Sequence, residues 1–292
     1  MTTVRVVVAP LDFALTLGPL AVGPGDPSLR VSPDEAWFAR RYPSGPATVR
    51  LVRAVDGVDA EAWGDGAEEA LGRAGALVGV DDDPGALPRG HALVDDLADH
   101  LPGLRIGRSG SLVDAVVRAI ARRGVSTFEA GRTLDQLVAA HGEPAPGPGG
   151  LMLTPPAGVL ASLDHWSFHL VGFEHERADV VRRVAARAGS LEALVDGPAE
   201  LAAARLLDIP GVGQAAAAQA VSVALGDPDA VPLGDPELAR SVCWALARDP
   251  DGDDERLLAL LAPFAGQRGR VLRLLAAAGL APPRRGAGRP AS

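Results

Sequence analysis

Hydrophobic and polar positions alternate through much of the first sixty residues, and Gly and Pro separate the alternating segments. The segments 11–17, 36–42 and 46–53 follow this pattern, which is typical of strands in an antiparallel sheet. The spacing then becomes helical over 65–78 and 91–101. The first hundred residues are therefore predicted to form an α+β domain.

From position 112 onward, apolar residues recur every three or four positions in almost every segment. Val113, Val116, Val117 and Ile120 lie at this spacing, which predicts a helix with one apolar face. The rest of the chain is predicted to be all-α. Its further predicted helices cover 174–188, 198–207, 213–225, 236–247, 253–261 and 267–278.

Two segments lack either periodicity. The Gly- and Pro-rich run 142–150 has the composition of a linker between domains, but a long loop inside a helical domain has the same composition. The tail 282–292 is predicted to be disordered.

The length of 292 residues suits two domains, because a domain takes roughly 100 to 200 residues. No apolar run reaches the ~18 residues that a membrane span needs, and no signal peptide is evident, so a cytoplasmic protein is expected. The lone Cys243 cannot form an internal disulfide or supply an iron–sulfur cluster. The irregular spacing of His165, His169 and His175 predicts no metal site.

All 28 basic residues are arginine, which excludes a lysine Schiff base in this chain. The net charge of −9 resides mainly in residues 1–101, which hold 8 Arg and 16 acidic residues. Two basic stretches, 105–123 and 268–289, remain. They can follow a nucleic-acid backbone or lie on solvated helix faces, and charge alone does not separate these alternatives.

The turn Pro210-Gly211-Val212-Gly213 lies between two predicted helices, the second beginning at Gln214. Its glycines permit a tight hairpin that leaves the free N–H groups of the second helix pointing outward, and such groups can bind a phosphate. The turn favours binding to a DNA backbone over a plain helix connection.

An aspartate, Asp235, stands between Gly234 and Pro236 at the predicted start of another helix, 22 positions after Gly213. Asp before Pro is a good N-cap, so a structural role is sufficient to explain it. The helix N-terminus also favours a fixed negative charge, so capping and a catalytic role are compatible.

Together these features resemble the helix-hairpin-helix DNA glycosylase superfamily, and in particular its 3-methyladenine DNA glycosylase II branch. The resemblance covers nearly the whole chain. It implies an accessory α+β domain over 1–104, an all-α glycosylase domain over 105–281 and a basic tail over 282–292. The matching segments are 36–37, 45–48, 104–108, 141–144, 166–169, 210–213, 224–235 and 267–285.

The resemblance also implies a function. A monomeric enzyme would bind double-stranded DNA that contains damaged bases and would hydrolyse the N-glycosidic bond of alkylated purines without cutting the strand. Asp235 would be the catalytic carboxylate, and residues 210–214 (Pro210, Gly211, Val212, Gly213 and Gln214) would contact the DNA backbone. No cofactor is implied beyond a monovalent cation that the hairpin carbonyls can hold.

Three departures from the family pattern concern the base-binding region. Gln214-Ala215-Ala216-Ala217 replaces an aromatic residue followed by Thr-Ala. Arg123 and Gly124 stand where the family tends to have a Gln and a bulky wedge, so Arg122, Arg123 and Gly124 are the candidates for filling the gap left by a flipped base. Trp166 and Phe168 are the candidates for a base pocket, although such aromatic pairs are more often core residues.

These departures leave two alternatives to an active enzyme. One is a relative that binds DNA with weakened or lost base excision. The other is a helical protein whose hairpin serves only packing or protein contacts.

Overall fold

The computed structural model describes residues 3–23 and 25–280. Its N-terminal part is a five-stranded antiparallel sheet in the order β1-β5-β4-β3-β2, which confirms the predicted sheet. Two of the five strands cover the predicted segments 36–42 and 46–53. The strands are β1 (Thr3–Val7), β2 (Leu29–Val31), β3 (Glu35–Tyr42), β4 (Gly45–Ala54) and β5 (Gly57–Trp63).

Helices follow the sheet, and the helices predicted beyond position 170 are confirmed with ends within three residues. None of the helices in the described residues is long and apolar enough to cross a membrane. The helices are α1 (Phe13–Leu17), α2 (Ala67–Gly72), α3 (Ala74–Leu77), α4 (Ala92–His100), α5 (Leu112–Arg122), α6 (Thr127–His141), α7 (Ala157–Ser162), α8 (His165–Leu170), α9 (His175–Ala185), α10 (Ala188–Glu192), α11 (Ala199–Leu207), α12 (Gln214–Ala224), α13 (Pro236–Ala247), α14 (Asp254–Leu261) and α15 (Arg268–Ala277).

The strand predicted over 11–17 is wrong, because this segment contains helix α1. Asp12 caps the helix by accepting a hydrogen bond from the backbone N–H of Leu15 at 3.0 Å. Phe13 and Leu17 lie four positions apart and are both fully buried, so a helix places them on one face against the core. The spacing of Leu and Phe in this segment fits both the strand and the helix periodicity, and tertiary packing selects the helix.

The Gly- and Pro-rich run 142–150 is a loop packed on the sheet and not an extended linker. It contains the first strand of a short ribbon formed by β6 (Glu143–Pro144) and β7 (Met152–Leu153). Arg30 donates a hydrogen bond to the carbonyl of Gly149 at 2.9 Å, and Arg41 forms an ion pair with Glu143 at 2.8 Å. Gly147, at φ +85°, lies against Trp63, where no Cβ would fit.

Two main apolar cores organise the described residues. The first joins the inner face of the sheet to α1, α5, α9, α11 and α12, with Leu51, Leu112 and Ile120 fully buried. The second joins α4 to α13, α14 and α15 around Val94 and Leu257. Helix α4, which precedes position 105, thus shares a core with the last helices. The proposed division of the chain at 104/105 stays a prediction, and the tail 282–292 lies outside the described residues.

Candidate active site

The hairpin between α11 and α12 has the geometry that its glycines predict. Gly211 has φ +93°, and a Cβ at this position would lie 2.4 Å from Cγ2 of Val180. Val212 is buried and anchors the turn, whereas Pro210, Gly213 and Gln214 are exposed. The side chain of Val212 therefore packs the turn against the core, while the other residues of the turn face solvent.

Helix α12 begins with an N-terminus that no side chain caps. Its N-cap is Gly213, whose φ of −91° is ordinary and whose Cβ position is open space. The first N–H groups of an α-helix lack intrahelical partners, and the helix dipole adds partial positive charge there. This end of α12 can therefore bind a phosphate group.

Two guanidinium groups lie at the hairpin. Arg123 Nη1 donates to the carbonyl of Gly211 at 3.1 Å, and Arg183 Nη1 donates to the carbonyl of Pro210 at 3.1 Å. The contact of Arg123 places the predicted segment 122–124 beside the hairpin. Arg183 could not be predicted from the sequence, because it belongs to α9, and only the fold brings α9 to this turn.

Asp235 caps helix α13. Its Oδ1 accepts hydrogen bonds from the backbone N–H groups of Glu237 at 2.9 Å and Leu238 at 3.3 Å, and Pro236 occupies the first helical position. The side chain is exposed. Both capping bonds use Oδ1, so capping leaves Oδ2 for another partner.

A cleft of about 520 Å³ opens between α12, α15 and the start of α13. Pro232 and Leu238, which lie on either side of Asp235 in the sequence, both line it, whereas Asp235 itself is not among its lining residues. Arg122 and Thr127, which flank the loop between α5 and α6, also line it. The volume is within the range of roughly 300–1,000 Å³ that is common for small-molecule sites.

The cleft has an unusual lining for a base-binding site. None of its described lining residues is aromatic. Helix α12 contributes Ala218, Gln219, Ser222 and Val223, downstream of the alanines that replace the expected aromatic residue. The walls are therefore aliphatic, with a few polar side chains.

Two of the polar side chains in the cleft are arginines. Arg122 donates hydrogen bonds to the backbone carbonyls of Ala21 and Val22. Arg273 Nη2 donates to the carbonyl and the hydroxyl of Ser222 at 3.2 and 3.0 Å. Burial, reinforced by the neighbouring Arg118 and Arg270 respectively, lowers the pKa of each guanidinium to about 10.

The predicted base-pocket residues Trp166 and Phe168 do not line this cleft. Phe168 is fully buried in the first core and makes an edge contact with Phe173, with ring centroids 5.6 Å apart. Trp166 is 65% exposed and stacks on His169. Both belong to α8, which packs on α9 and not on the helices that form the cleft.

An exposed aromatic residue does lie next to the cleft. Phe128 is 77% exposed and follows Thr127 in the first turn of α6. Ser126 and Glu129 form a capping box that fixes this turn. Phe128 was not among the predicted site residues, although the capping signature Ser-Thr-Phe-Glu marks a helix start with a bulky residue in its first turn.

The structure brings together a second group that the sequence spacing concealed. His165, His175 and Asp179 place one potential ligand atom each within 4.8 Å of one another. Arg183 and Arg182 also approach the Asp179 carboxylate, at 3.1 and 3.8 Å, and compete with any cation there. The absence of a metal site stays a prediction, as does the monovalent cation at the hairpin.

The alignment of the basic stretches 105–123 and 268–289 along DNA stays a prediction, because the contacts of their described arginines within the chain do not test it. Most of their described arginines are held by neighbouring carboxylates or backbone carbonyls. Arg284, Arg285 and Arg289 lie outside the described residues. The ion pairs are Arg108 with Asp81, Arg118 with Asp26 and Asp114, Arg268 with Asp229, and Arg270 with Asp82.

The architecture is that of known DNA glycosylases. A 3-methyladenine DNA glycosylase from Archaeoglobus fulgidus matches 94% of this chain and 98% of its own chain, with a TM-score of 0.76 and 17% identity. An 8-oxoguanine glycosylase/lyase from Clostridium acetobutylicum, solved with double-stranded DNA, matches 86% of this chain and 98% of its own, with a TM-score of 0.63 and 14% identity. The chain therefore has the helix-hairpin-helix DNA glycosylase fold.

Sequence comparison matches a smaller part of the chain. A probable bifunctional transcriptional activator/DNA repair enzyme AlkA from Mycobacterium tuberculosis is 31% identical over 173 residues, or 57% of this chain. This chain spans about a third of the length of that relative, 34%. No protein-family model matches the chain.

Proposed function

We propose that this chain is a monofunctional DNA glycosylase of base excision repair, which hydrolyses the N-glycosidic bond of alkylated purines of the 3-methyladenine type. The observation that carries the proposal is the position of Asp235. Its carboxylate caps α13 at a point in the sequence between Pro232 and Leu238, two residues that line a cleft of about 520 Å³, and its Oδ2 is not used by the helix cap. The fold and the names of the similar proteins support the same activity.

The hairpin is the proposed anchor on duplex DNA. The uncapped N-terminus of α12 would bind a backbone phosphate, beside the guanidinium groups of Arg123 and Arg183, which also approach Glu176 and Asp179 respectively. Such contacts carry no sequence information, as suits an enzyme that must search for damage in any sequence. A net charge of −9 makes this local concentration of positive charge important.

The base must leave the helical stack before the bond can break, which costs a few kcal/mol. We propose that the cleft receives the flipped base. The exposed Phe128 and the side chain of Arg123 are placed to fill the space that the base vacates, because both lie in or beside the loop between α5 and α6. Gly124 adds no bulk there, and no atom lies within 4 Å of its Cβ position.

The chemistry needs one fixed negative charge. Breaking the C1′–N bond leaves positive charge on the sugar, which the Asp235 carboxylate would stabilise while a water molecule adds to C1′. An alkylated purine that already carries positive charge can leave without a second acid. Because the chain contains no lysine, a lysine-dependent lyase step is not available to its own residues.

One observation favours a second candidate, a DNA-binding protein with little or no base excision. The cleft lacks an aromatic side chain among its described lining residues, so stacking on a flipped base would be weak. A hairpin used only for packing is a third candidate.

The experiment that separates these candidates is incubation of the full chain with duplex DNA that carries a single alkylated purine. Release of the free base, followed by chromatography, supports the enzyme. Tight binding of the duplex without base release supports the second candidate. Neither binding nor release, by a chain with a normal melting curve, would support the third.

A further inference from the structure

Two neighbouring helices bring a pair of histidines and an aspartate together. His165 begins α8, and His175 and Asp179 lie four positions apart on α9. Residues at this spacing share one face of a helix, so the side chains of His175 and Asp179 can meet the same partner. Two imidazole nitrogens and one carboxylate oxygen lie within 4.8 Å of one another. The fold therefore assembles a set of ligands that the irregular spacing in the sequence does not predict.

The ligand types and distances suit a zinc ion. Zinc takes imidazole nitrogen and carboxylate oxygen at about 2.0–2.2 Å in a tetrahedron, so the ligand atoms of such a site are about 3.4 Å apart. His165 Nε2 lies 3.5 Å from Asp179 Oδ1, and His175 Nε2 lies 4.0 Å from Asp179 Oδ2. Small side-chain rotations are sufficient to bring the three ligands to this geometry.

The exposed histidine has the freedom that such a rotation needs. The two imidazole rings stack with their centroids 3.9 Å apart and their planes at 25°. Lone pairs on nearly parallel rings do not converge on one point, so one ring must turn before both can bind the same ion. The His175 side chain is 69% exposed and can turn. The same exposure gives the ion a path from solvent, and three protein ligands leave a fourth position for water.

Two guanidinium groups hold the Asp179 carboxylate when no ion is bound. Arg183 Nη2 donates to Oδ2 at 3.1 Å, and Arg182 Nη1 lies 3.8 Å from Oδ1. Both arginine side chains are partly exposed. An ion pair between such side chains adds little stability, because both charges stay largely hydrated. A zinc ion held by two imidazoles and the carboxylate would therefore displace these arginines from Asp179.

Arg183 connects this cluster to the hairpin between α11 and α12. Its Nη2 donates to Asp179, and its Nη1 donates to the carbonyl of Pro210 at 3.1 Å. Within the part of the chain that the structure describes, Asp179 is the one carboxylate that forms an ion pair with Arg183. Binding of an ion to Asp179 would thus remove the paired carboxylate and leave the guanidinium beside the hairpin.

We propose that His165, His175 and Asp179 bind a zinc ion, and that this ion strengthens the binding of the hairpin to DNA by releasing Arg183 from Asp179. The zinc site depends only on the cluster, whereas its effect on the hairpin rests on the proposed function. Affinity for a phosphate backbone rises with the positive charge placed beside it. A unit charge about 6 Å from a phosphate in water changes the affinity roughly threefold.

The site is tested by calorimetric titration of the full chain, without a histidine tag, with zinc chloride. The cluster variants are His165→Ala, His175→Ala and Asp179→Asn. His100→Ala is the matched control, because His100 and Asp96 form the same i,i+4 pair on α4, with 3.3 Å between Nδ1 and Oδ1. No third ligand from the described residues joins that pair. Melting curves on the same samples check that each variant is folded.

We expect the wild-type chain to bind zinc at micromolar concentration, which corresponds to Kd values near ~10⁻⁶ M. Each cluster variant should reduce the affinity at least tenfold, and the control should leave it unchanged. His175→Cys should restore binding, because a thiolate is also a zinc ligand. Cobalt in place of zinc should give this variant a thiolate-to-metal absorption band, which a merely structural role of His175 would not produce.

The effect on the hairpin is measured as the affinity for an undamaged duplex with zinc and with a chelator. Zinc should raise this affinity at least threefold for the wild-type chain and for His100→Ala. It should not raise the affinity of His175→Ala, which keeps Asp179 and Arg183. Arg183→Met should still bind zinc but should lose most of the gain, because the charge that the ion releases is absent.

The possible failures are distinguishable. A folded wild-type chain that binds no zinc, or cluster variants that bind it as tightly as the wild-type chain, would refute the site. Zinc binding at the cluster without a change in duplex affinity would refute the effect on the hairpin and leave the proposed function intact. A full gain in Arg183→Met would show that the ion does not act through Arg183. A chain that binds zinc but no duplex, alkylated or undamaged, would refute the effect on the hairpin and the proposed function, while the zinc site stands.

Discussion

Replacing Asp235 by Asn separates its two roles. In this structure the helix cap uses Oδ1 alone, which accepts from the N–H groups of Glu237 and Leu238. The Oδ1 of Asn can accept the same two bonds. The substitution therefore preserves the cap and removes the negative charge at the start of α13.

The two expected magnitudes differ widely. Asn and Asp are similar N-caps, and the lost interaction with the helix dipole is about 0.3–1 kcal/mol, so the free energy of unfolding should fall by less than ~1 kcal/mol. If the carboxylate stabilises the sugar cation, the excision rate should fall on the order of 100-fold or more, which corresponds to at least ~2.7 kcal/mol in the activation free energy. The affinity for duplex DNA should be kept.

The assay is single-turnover excision from alkylated duplex DNA, with a melting curve on each sample. Asp253→Asn is the matched control, because Asp253 caps α14 through a bond from the N–H of Arg256 at 2.9 Å, as Asp235 caps α13. The control should keep full activity. Undiminished excision by Asp235→Asn would end the catalytic assignment and leave Asp235 as a cap.

Four further substitutions test other parts of the molecule. Gly213→Leu should fold normally, because the Cβ position is open, and should weaken binding to all DNA sequences roughly tenfold in a titration. Gly211→Leu should instead lower the free energy of unfolding by more than ~2 kcal/mol, because Gly211 has a positive φ and lies against Val180. Equal melting temperatures of Gly211→Leu and the wild-type chain would contradict this. Phe128→Ala should leave the melting temperature nearly unchanged, since the side chain is 77% exposed. It should slow excision from duplex DNA more than excision from single strands, because only a duplex leaves a gap for Phe128 to fill. Equal losses of rate on both substrates would argue that Phe128 does not fill this gap. Burial alone would raise the pKa of Asp26, but Arg118 and backbone N–H groups more than offset it, so the pKa lies below the ordinary 3.8. The stabilisation that the Asp26 carboxylate provides should thus be complete above pH 3.8 and lost as the pH falls through its lower pKa in the folded state. Asp26→Asn should lower the free energy of unfolding by about 3 kcal/mol at neutral pH, measured by chemical denaturation, and should make that free energy depend less on pH in acid. An unchanged pH dependence in acid would refute this link between the pKa of Asp26 and stability.

Local signals in the sequence were sufficient for much of the fold. Helices α9 and α11 to α15 follow from apolar periodicity, and strands β3 and β4 follow from alternation. Helix α1 could not be predicted in this way, because its five residues satisfy both periodicities and burial against the sheet decides between them. Composition also left 142–150 ambiguous, until its contacts with the tryptophans of the sheet showed a packed loop.

The same distinction holds for the site. The hairpin 210–213 and the cap at Asp235 are local motifs, since their geometry depends on residues only a few positions apart, and both were predicted from the sequence. The base-pocket candidates on α8 were chosen by residue type alone. Their position depends on which helices pack together, and α8 packs on α9.

The sequence by itself therefore determined helices α9 and α11 to α15, the hairpin and the capping aspartate, because hydrogen bonds and periodicity within one segment define them. Only the tertiary structure decided which arginines are neutralised and which are not. Arg118 and Arg122 are four positions apart on α5, yet one meets two carboxylates and the other meets only backbone carbonyls. The carboxylate of Asp26 that makes this difference lies 92 residues away in the chain. Side-chain charge is encoded locally, but its compensation depends on long-range packing.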